Sequence, residues 1–429
     1  MMTKTFSEIA GPFVLLLIFL FLSNHNLSPS FAWELSKHDS PDSSSYSSTQ
    51  YSNQLSSPGG CLNQHLAKDN ATLPNVLLIG VQKAGTSALS NWLKEVGGVC
   101  MSKVQPGEPS YYEKEAHYFD ALPGEGHEYD FDHAKIYARR FAHCCADKIQ
   151  LDEVSIMSNV LAMDATPETM LFPKRVRSTF DSVDPTGELA KRAKFIIILR
   201  EPVSRELSWY NHCAHECRNQ LQTKPICLSY PSQAWNSEMN RIRTFSEYME
   251  SVTLTNVHFV AEPDPTEQLC YREMNRGLYA DILREWINLF DRQQILVLSQ
   301  EELVSDEGSF LNHVNSFLGL NKYISDFHLK QVNIKDDGHK VKAILCSDQE
   351  KLNQIFDPLN EDLYRLLEEY PGPPMEQRPF QRFKKRNCTE VDVSRRAETK
   401  SELRLWFCFI ILVILDPIRV SKTRTKLKI

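Results

Sequence analysis

Three short stretches carry residues that could do chemistry together. "GVQKAGTSAL", Gly80 to Leu89, sets Lys83 between Gly80 and Gly85 and follows them with Thr86 and Ser87. The amides of residues 84–87 at a helix start would cradle an anion. Thr86, Ser87 and Lys83 would add two hydroxyls and an ammonium. "LREPVSRELSWY", Leu199 to Tyr210, puts Arg200 at the end of an apolar run, with Ser204 and Ser208 following at helical spacing. That is a second anion-binding corner. "EAHYFD", Glu115 to Asp120, groups two carboxylates around His117, residue types that take or hold a proton.

The first stretch is close to a nucleoside-triphosphate loop, G-x-x-x-x-G-K-[ST], but departs from it where it matters most. Thr86 stands where that pattern has lysine, and the lysine is inside the loop at Lys83. An NTPase also ends a neighbouring strand in an aspartate that helps hold magnesium. Here that place is taken by Arg200. The two corners predict a ligand with two phosphate-like groups and no metal ligand. The missing lysine and aspartate argue against a P-loop kinase.

These residues need a frame that presents them at one edge. "NVLLIGV", "FIIILR" and "QILVLS" are continuous apolar runs, the pattern of strands buried on both faces of a parallel sheet. Amphipathic helices alternate with them. They are predicted after Gly85, from Pro202, over Leu278–Phe290, over "SFLNHVNSFLGL" to Gly319, and over Glu350–Tyr370 with a break at Pro358. The fold class is α/β, a central parallel sheet flanked by helices.

The 429 residues suffice for a sizeable core, and 42% hydrophobic with 24% charged residues describes a globular chain. A net charge of -7 excludes a general nucleic-acid binder. Lys4 and the run Gly11–Ser23 predict a signal peptide or signal-anchor over residues 1–32, either of which takes the chain into the secretory pathway. A Ser-rich stem over 33–73 follows. Membrane association is expected through the N-terminal segment. Residues 371–429 are a basic tail with a short apolar run, Leu405–Leu415. In an oxidising lumen the 11 cysteines default to disulfides. "NHCAHEC" is then expected to hold disulfides and surface histidines (His212, His215) rather than zinc. Asn70 and Asn387 open glycosylation sequons.

Over residues 74–370 the chain resembles the sulfotransferase superfamily that uses 3'-phosphoadenosine 5'-phosphosulfate (PAPS). It is most similar to the membrane-associated carbohydrate enzymes of the heparan sulfate 3-O/N-sulfotransferase and N-acetylgalactosamine 4-sulfate 6-O-sulfotransferase type. The resemblance rests on "GVQKAGTSAL", "LREPVSRELSWY", "EAHYFD" and "NRGLYADILREWINLF". It implies a P-loop-containing nucleotide hydrolase-like fold, PAPS as donor cosubstrate, a glycan acceptor and a Golgi location. By the same resemblance Lys83, Ala84, Gly85, Thr86, Ser87 and Ala88 would hold the 5'-phosphosulfate, and Arg200 and Ser208 the 3'-phosphate. Lys340, with His339 and Lys342, lies in the late nucleotide loop. Glu115 would be the base, its pKa raised by burial toward the working pH. His117 and Asp120 would stand beside it, and Lys83 would neutralise charge on the bridging oxygen.

One motif departs from the family. "MDATPETM", Met163 to Met170, keeps Asp164, Thr166 and Pro167 but has Ala165 where heparan-type members carry lysine. That weakens the case for a polyanionic acceptor, unless Lys174, Arg175 and Arg177 form a basic rim. A tyrosylprotein sulfotransferase shares the donor and chemistry. A catalytically silent glycan-binding relative is the other alternative.

Overall fold

Val76–Gly80 (β1) is buried at every position, as are Phe195–Leu199 and Ile295–Ser299. Aliphatic strands without a polar face must be covered on both sides. The computed structural model satisfies this with helices above and below a five-stranded sheet. It describes residues 72–120, 129–144, 160–221, 234–253, 277–320, 328–329, 339–373, 379–385 and 388. The N-terminal apolar run, most of the Ser-rich stem, the C-terminal apolar run and both sequon asparagines lie outside the described residues.

In chain order, β1 leads into α1 (Thr86–Glu95), β2 (Cys100–Met101), α2 (Phe131–Arg139) and β3 (Ala162–Asp164). Then come α3 (Pro173–Val183), α4 (Glu188–Arg192), β4 (Lys194–Leu199) and α5 (Pro202–Leu221). A small antiparallel pair, β5 (Trp235–Asn236) and β6 (Arg241–Ile242), precedes α6 (Phe245–Thr253). The chain continues through α7 (Tyr279–Leu289), β7 (Ile295–Ser299), α8 (Gln300–Ser305), α9 (Glu307–Leu318) and α10 (Cys346–Glu369).

The large sheet has the order β2-β3-β1-β4-β7, and every pairing is parallel. β1 is central. The chain fills one side of it first, with β2 and β3, and then the other, with β4 and β7. Such a reversal opens a crevice at the carboxyl ends of the middle strands, where ligands bind in open α/β sheets.

The helices are held by spaced apolar contacts. Tyr279, Ala280, Ile282, Leu283 and Trp286 line the buried face of α7. Trp286 packs on Phe195 of β4 at 4.9 Å, and its indole N–H donates to the Met170 carbonyl at 2.8 Å. Burying a large aliphatic side chain such as Ile282 or Leu283 stabilises the fold by roughly 1.5–3 kcal/mol.

Two expectations are corrected. α10 runs unbroken through Pro358, because the proline is on the exposed face while Leu352, Phe356, Leu363 and Leu367 anchor both sides of it. On that exposed face the carbonyl that the missing N–H leaves is open to solvent. Packing also continues beyond residue 370. Phe380 and Phe383 join the main core against Tyr364, Arg382 pairs with Glu361, and Cys388 is disulfide-bonded to Cys346. A second disulfide joins Cys100 to Cys144. No helix among the described residues is long and apolar enough to cross a membrane.

Candidate active site

The loop after β1 follows from its glycines. Gly80 has no room for a side chain, since a Cβ would sit 2.7 Å from Met170 Sδ. Gly85, at φ +105°, is the N-cap of α1 and offers no side chain to cap it. Lys83 is also in the left-handed region, at φ +70°. The Ala84 amide is taken by the Val81 carbonyl at 3.2 Å, and the Ala88 amide by Gly85 at 3.0 Å. The Gly85, Thr86 and Ser87 amides have no main-chain acceptor among the described residues. The cradle expected over residues 84–87 therefore narrows to 85–87.

Arg200, at the end of β4, reaches across to this loop and donates to the Lys83 carbonyl at 2.6 Å. Tyr279 of α7 donates to the Arg200 carbonyl at 2.8 Å. The Glu201 carboxylate caps α5, accepting from the amides of Val203 at 2.9 Å and Ser204 at 2.7 Å. Ser208 then faces the cavity one turn on. Asn211 clasps Val341 by two hydrogen bonds, at 2.9 and 2.8 Å, and so fixes the backbone beside Lys340. Burial lowers the Lys83 pKa, and the charges of Arg200, Lys340 and Lys114 lower it further. Among the described residues no carboxylate pairs with Lys83. Cations packed around open amides fit an anionic ligand, so the residues present suit a nucleotide with separated phosphates.

The third stretch hangs from the carboxyl end of β3. Asp164 is buried there and accepts from the Tyr137 hydroxyl at 2.7 Å, the Thr166 hydroxyl at 2.7 Å and the Ala116 amide at 3.2 Å. The Thr166 hydroxyl in turn accepts the His117 amide at 3.2 Å. His117 is held at φ +50°, a conformation that a non-glycine residue keeps only when its surroundings impose it. Ala165 is fully buried and donates its amide to the Lys114 carbonyl at 2.9 Å.

His117 Nδ1 is 2.8 Å from Asp120 Oδ2, and its Nε2 is 3.3 Å from Glu115 Oε2. The Lys114 ammonium bonds the other Glu115 oxygen. Burial pulls the His117 pKa down, but the hydrogen bonds to Asp120 and Glu115 outweigh it and raise it to about 12. Burial likewise pushes Glu115 up, but His117 and Lys114 hold it at about 2. The elevated Glu115 pKa expected from burial is thus reversed by two adjacent cations. Glu115 is an ionised acceptor, and His117 is an imidazolium donating through both nitrogens.

A cavity of about 890 Å³ joins these parts, lined by Lys83, Gly85–Ala88, Lys114, Glu115, His117 and Ser208. Residues that pattern reading did not single out also line it: Gln82, Tyr111, Tyr112, Glu168 and Gln300, with Glu216 on α5. Asp120 stands behind His117 and outside the lining. Lys340 is exposed, and neither it nor Arg200 is among the lining residues. Ala84 points into the core. Trp209 and His212 reach the cavity wall, whereas Tyr210 packs on Phe245 and Tyr248.

Of the three residues of the expected basic rim, Lys174 is exposed, but the two arginines are engaged within the protein. Arg175 turns inward to the Phe119 carbonyl and the Tyr129 hydroxyl, and Arg177 pairs with Asp181. Cys213 and Cys217 are buried as thiols rather than disulfides, because both lie on the core face of α5.

Residues 73–337 match the family model described as "Sulfotransferase domain". The chain belongs to this family. Mouse heparan sulfate glucosamine 3-O-sulfotransferase 3A1 is 24% identical over 271 residues, covering 63% of this chain and 51% of that protein. The membrane-associated sulfotransferase kil1 of Dictyostelium discoideum is 22% identical over 356 residues, covering 69% and 65%. A human bifunctional heparan sulfate N-deacetylase/N-sulfotransferase 2 is 23% identical over 276 residues, covering 62% and 24%. The chain spans about half the length of the mouse relative. A sulfotransferase crystal structure from Alicyclobacillus acidocaldarius aligns with TM-score 0.42 and 20% identity, covering 69% of this chain and 96% of that one.

Proposed function

We propose that this protein is a PAPS-dependent sulfotransferase that transfers a sulfuryl group to a hydroxyl of a carbohydrate acceptor in the secretory pathway. The observation that carries the reading is the junction of Lys83 and Arg200 between two anion corners, within a sulfotransferase-family domain. The donor supplies an electrophilic sulfur and a phosphate leaving group.

The protein's share is position and charge. Gly85, Thr86, Ser87 and Ala88 line the 5' side, while Arg200 and Ser208 meet the 3' phosphate. Lys83 faces the bridging oxygen that gains charge on departure. Glu115 accepts the hydrogen bond of the acceptor hydroxyl and then its proton. Its two cationic neighbours keep it ionised until a hydroxyl displaces the Lys114 ammonium, after which its proton affinity rises. His117 orients the carboxylate, and Asp120 orients His117. None of these residues needs a metal for its part. The domain runs from about residue 74 through the packed segment that ends at Cys388.

The apolar run Gly11–Ser23 and the two disulfides support luminal, Golgi residence with an N-terminal membrane association. Co-localisation of the full-length protein with a Golgi marker tests this, and a cytosolic distribution would refute it. Calorimetry of the full-length protein with adenosine 3',5'-bisphosphate, followed by transfer from labelled PAPS to glycans, tests the activity. Absence of bisphosphate binding would sink the donor assignment.

A further inference from the structure

We infer that the Tyr111 ring, backed by Tyr112, is the platform on which a sugar ring of the acceptor rests, an inference that builds on the carbohydrate sulfotransferase reading above and adds a subsite to it. The exposed large hydrophobic side chains among the described residues are Tyr111, Phe131, Ile136, Met239, Val304 and Tyr370. Of these Tyr111 alone lines the cavity, and it is 54% exposed. A single exposed apolar side chain is ordinary on a protein surface. What sets Tyr111 apart is how it is mounted and what stands one turn away.

Tyr111 and Tyr112 lie in a short 3-10 turn, Ser110–Glu113. The hydroxyl of buried Ser102 donates to the Tyr112 carbonyl and, at 3.2 Å, to the Glu113 carbonyl. The Glu113 carboxylate pairs with Lys94 of α1 at 2.7 Å, which ties the turn to the helix that begins at the phosphate loop. Arg140, bonded to Glu108 at 2.9 Å, lies 5.6 Å from the centroid of the Tyr112 ring. Tyr112 stacks with Tyr111, ring centroids 5.0 Å apart, and both rings stand edge-on to His117, at 5.9 and 5.4 Å. The turn is thus held from three segments and the ring is backed by its neighbours. Little conformational freedom is left to lose when a ligand settles on it.

The backbone fixes the platform relative to Glu115. The Glu115 amide donates to the Tyr111 carbonyl at 3.0 Å, which closes one helical turn between them. Residues so related stand about 5–6 Å apart at their Cβ atoms, the scale of one sugar ring. Both side chains line the same cavity. A pyranose whose C–H face covers the Tyr111 ring removes apolar surface from water and extends a hydroxyl toward the Glu115 carboxylate. The contact uses the aromatic face, so it needs neither the phenolic hydroxyl nor a charge on the acceptor.

The test uses full-length protein. Adenosine 3',5'-bisphosphate binding is measured by calorimetry, and labelled PAPS is offered with a neutral galactan, heparosan, chondroitin sulfate and a tyrosine peptide. For the glycan that is labelled best, Tyr111→Ala raises KM about tenfold with kcat little changed, the mark of lost acceptor binding. Bisphosphate affinity stays at the parent value, which also shows that the variant is folded. Tyr111→Phe and Tyr111→Trp recover most of the KM loss, because they keep an aromatic face. An unchanged glycan KM in Tyr111→Ala, or a Tyr111→Phe as impaired as Tyr111→Ala, overturns this inference alone. Bisphosphate binding with labelling of the peptide only, or of no glycan, overturns the carbohydrate reading and the platform with it. Failure to bind bisphosphate overturns the donor reading beneath both.

Discussion

The Arg200 guanidinium donates a 2.6 Å hydrogen bond to the main-chain carbonyl of Lys83. The end of β4 thereby holds the loop that follows β1, including Lys83, whose backbone is in the left-handed region. Two anion corners that are far apart in sequence become one mechanical unit.

Arg200→Lys and Lys83→Ala should therefore not act independently. Each is expected to weaken bisphosphate binding, Arg200→Lys because a lysine lacks the planar fork that serves ligand and carbonyl together. The double variant should lose less than the product of the two, with a coupling of about 0.5–3 kcal/mol. Calorimetry on the four proteins measures it, and strict additivity would show that the two corners do not communicate.

Glu115→Gln should lower kcat by ~10²–10⁴-fold, the usual worth of a positioned base. Bisphosphate affinity should stay the same, since Glu115 bonds Lys114 and His117 and belongs to neither anion corner. Asp120→Asn should cost less, because it acts only through His117. Full turnover by Glu115→Gln would remove it as the proton acceptor.

The pH dependence follows from the sign of two shifts. Glu115 is lowered from 4.5 to about 2, so its contribution to stability is present above 4.5 and is lost as pH falls toward 2. His117 is raised from 6.5 to about 12, so its contribution is full below 6.5 and is lost as pH rises toward 12. Neither group changes charge near neutrality, and activity should be flat there as far as they determine it. Lys114→Ala removes two of the influences that lower Glu115, so the acid limb of kcat/KM should move to higher pH. Lys114→Arg should restore it. An acid limb unmoved in Lys114→Ala would show that the ammonium does not set the carboxylate.

Much of the frame was legible because β1, β4 and β7 are buried on both faces and so read as unbroken aliphatic runs. β2 and β3, with two and three residues, are too short to show a period, although β3 ends in the aspartate that organises the acceptor side. The phosphate loop was legible through Gly85 and Lys83. The state of Glu115 was not, because burial alone predicts an upward shift and only coordinates show Lys114 and His117 on its two oxygens. Pro358 misled because a proline's cost depends on whether water reaches the carbonyl it abandons. The partners of Arg175 and Arg177 come from distant segments and leave no local signature.

The segment ending at Cys388 is expected to hold the domain together at long range. Cys388→Ser opens the link to Cys346 and should cost about 2–4 kcal/mol in denaturant unfolding without reductant. Because Phe383 also packs near Tyr279, whose hydroxyl bonds Arg200, a smaller loss of bisphosphate affinity should accompany it. An unchanged unfolding midpoint would show that the tail adds nothing to the fold.

The all-parallel sheet gives the molecule a working pole and a quiet one. The cavity lies off the carboxyl ends of β1, β3 and β4. The turns at Asp184–Gly187 and Asp291–Gln294 lie toward the opposite ends of β4 and β7 and close on their own side chains. Asp184 accepts the Thr186 and Leu189 amides, and Asp291 accepts the Gln293 amide. Pro185 and Thr186 are exposed there. A linker spliced at that turn would fix the protein to a support with its mouth facing outward. A film of such molecules would meet a polymer in solution with every cavity available, something that random coupling through surface lysines does not achieve.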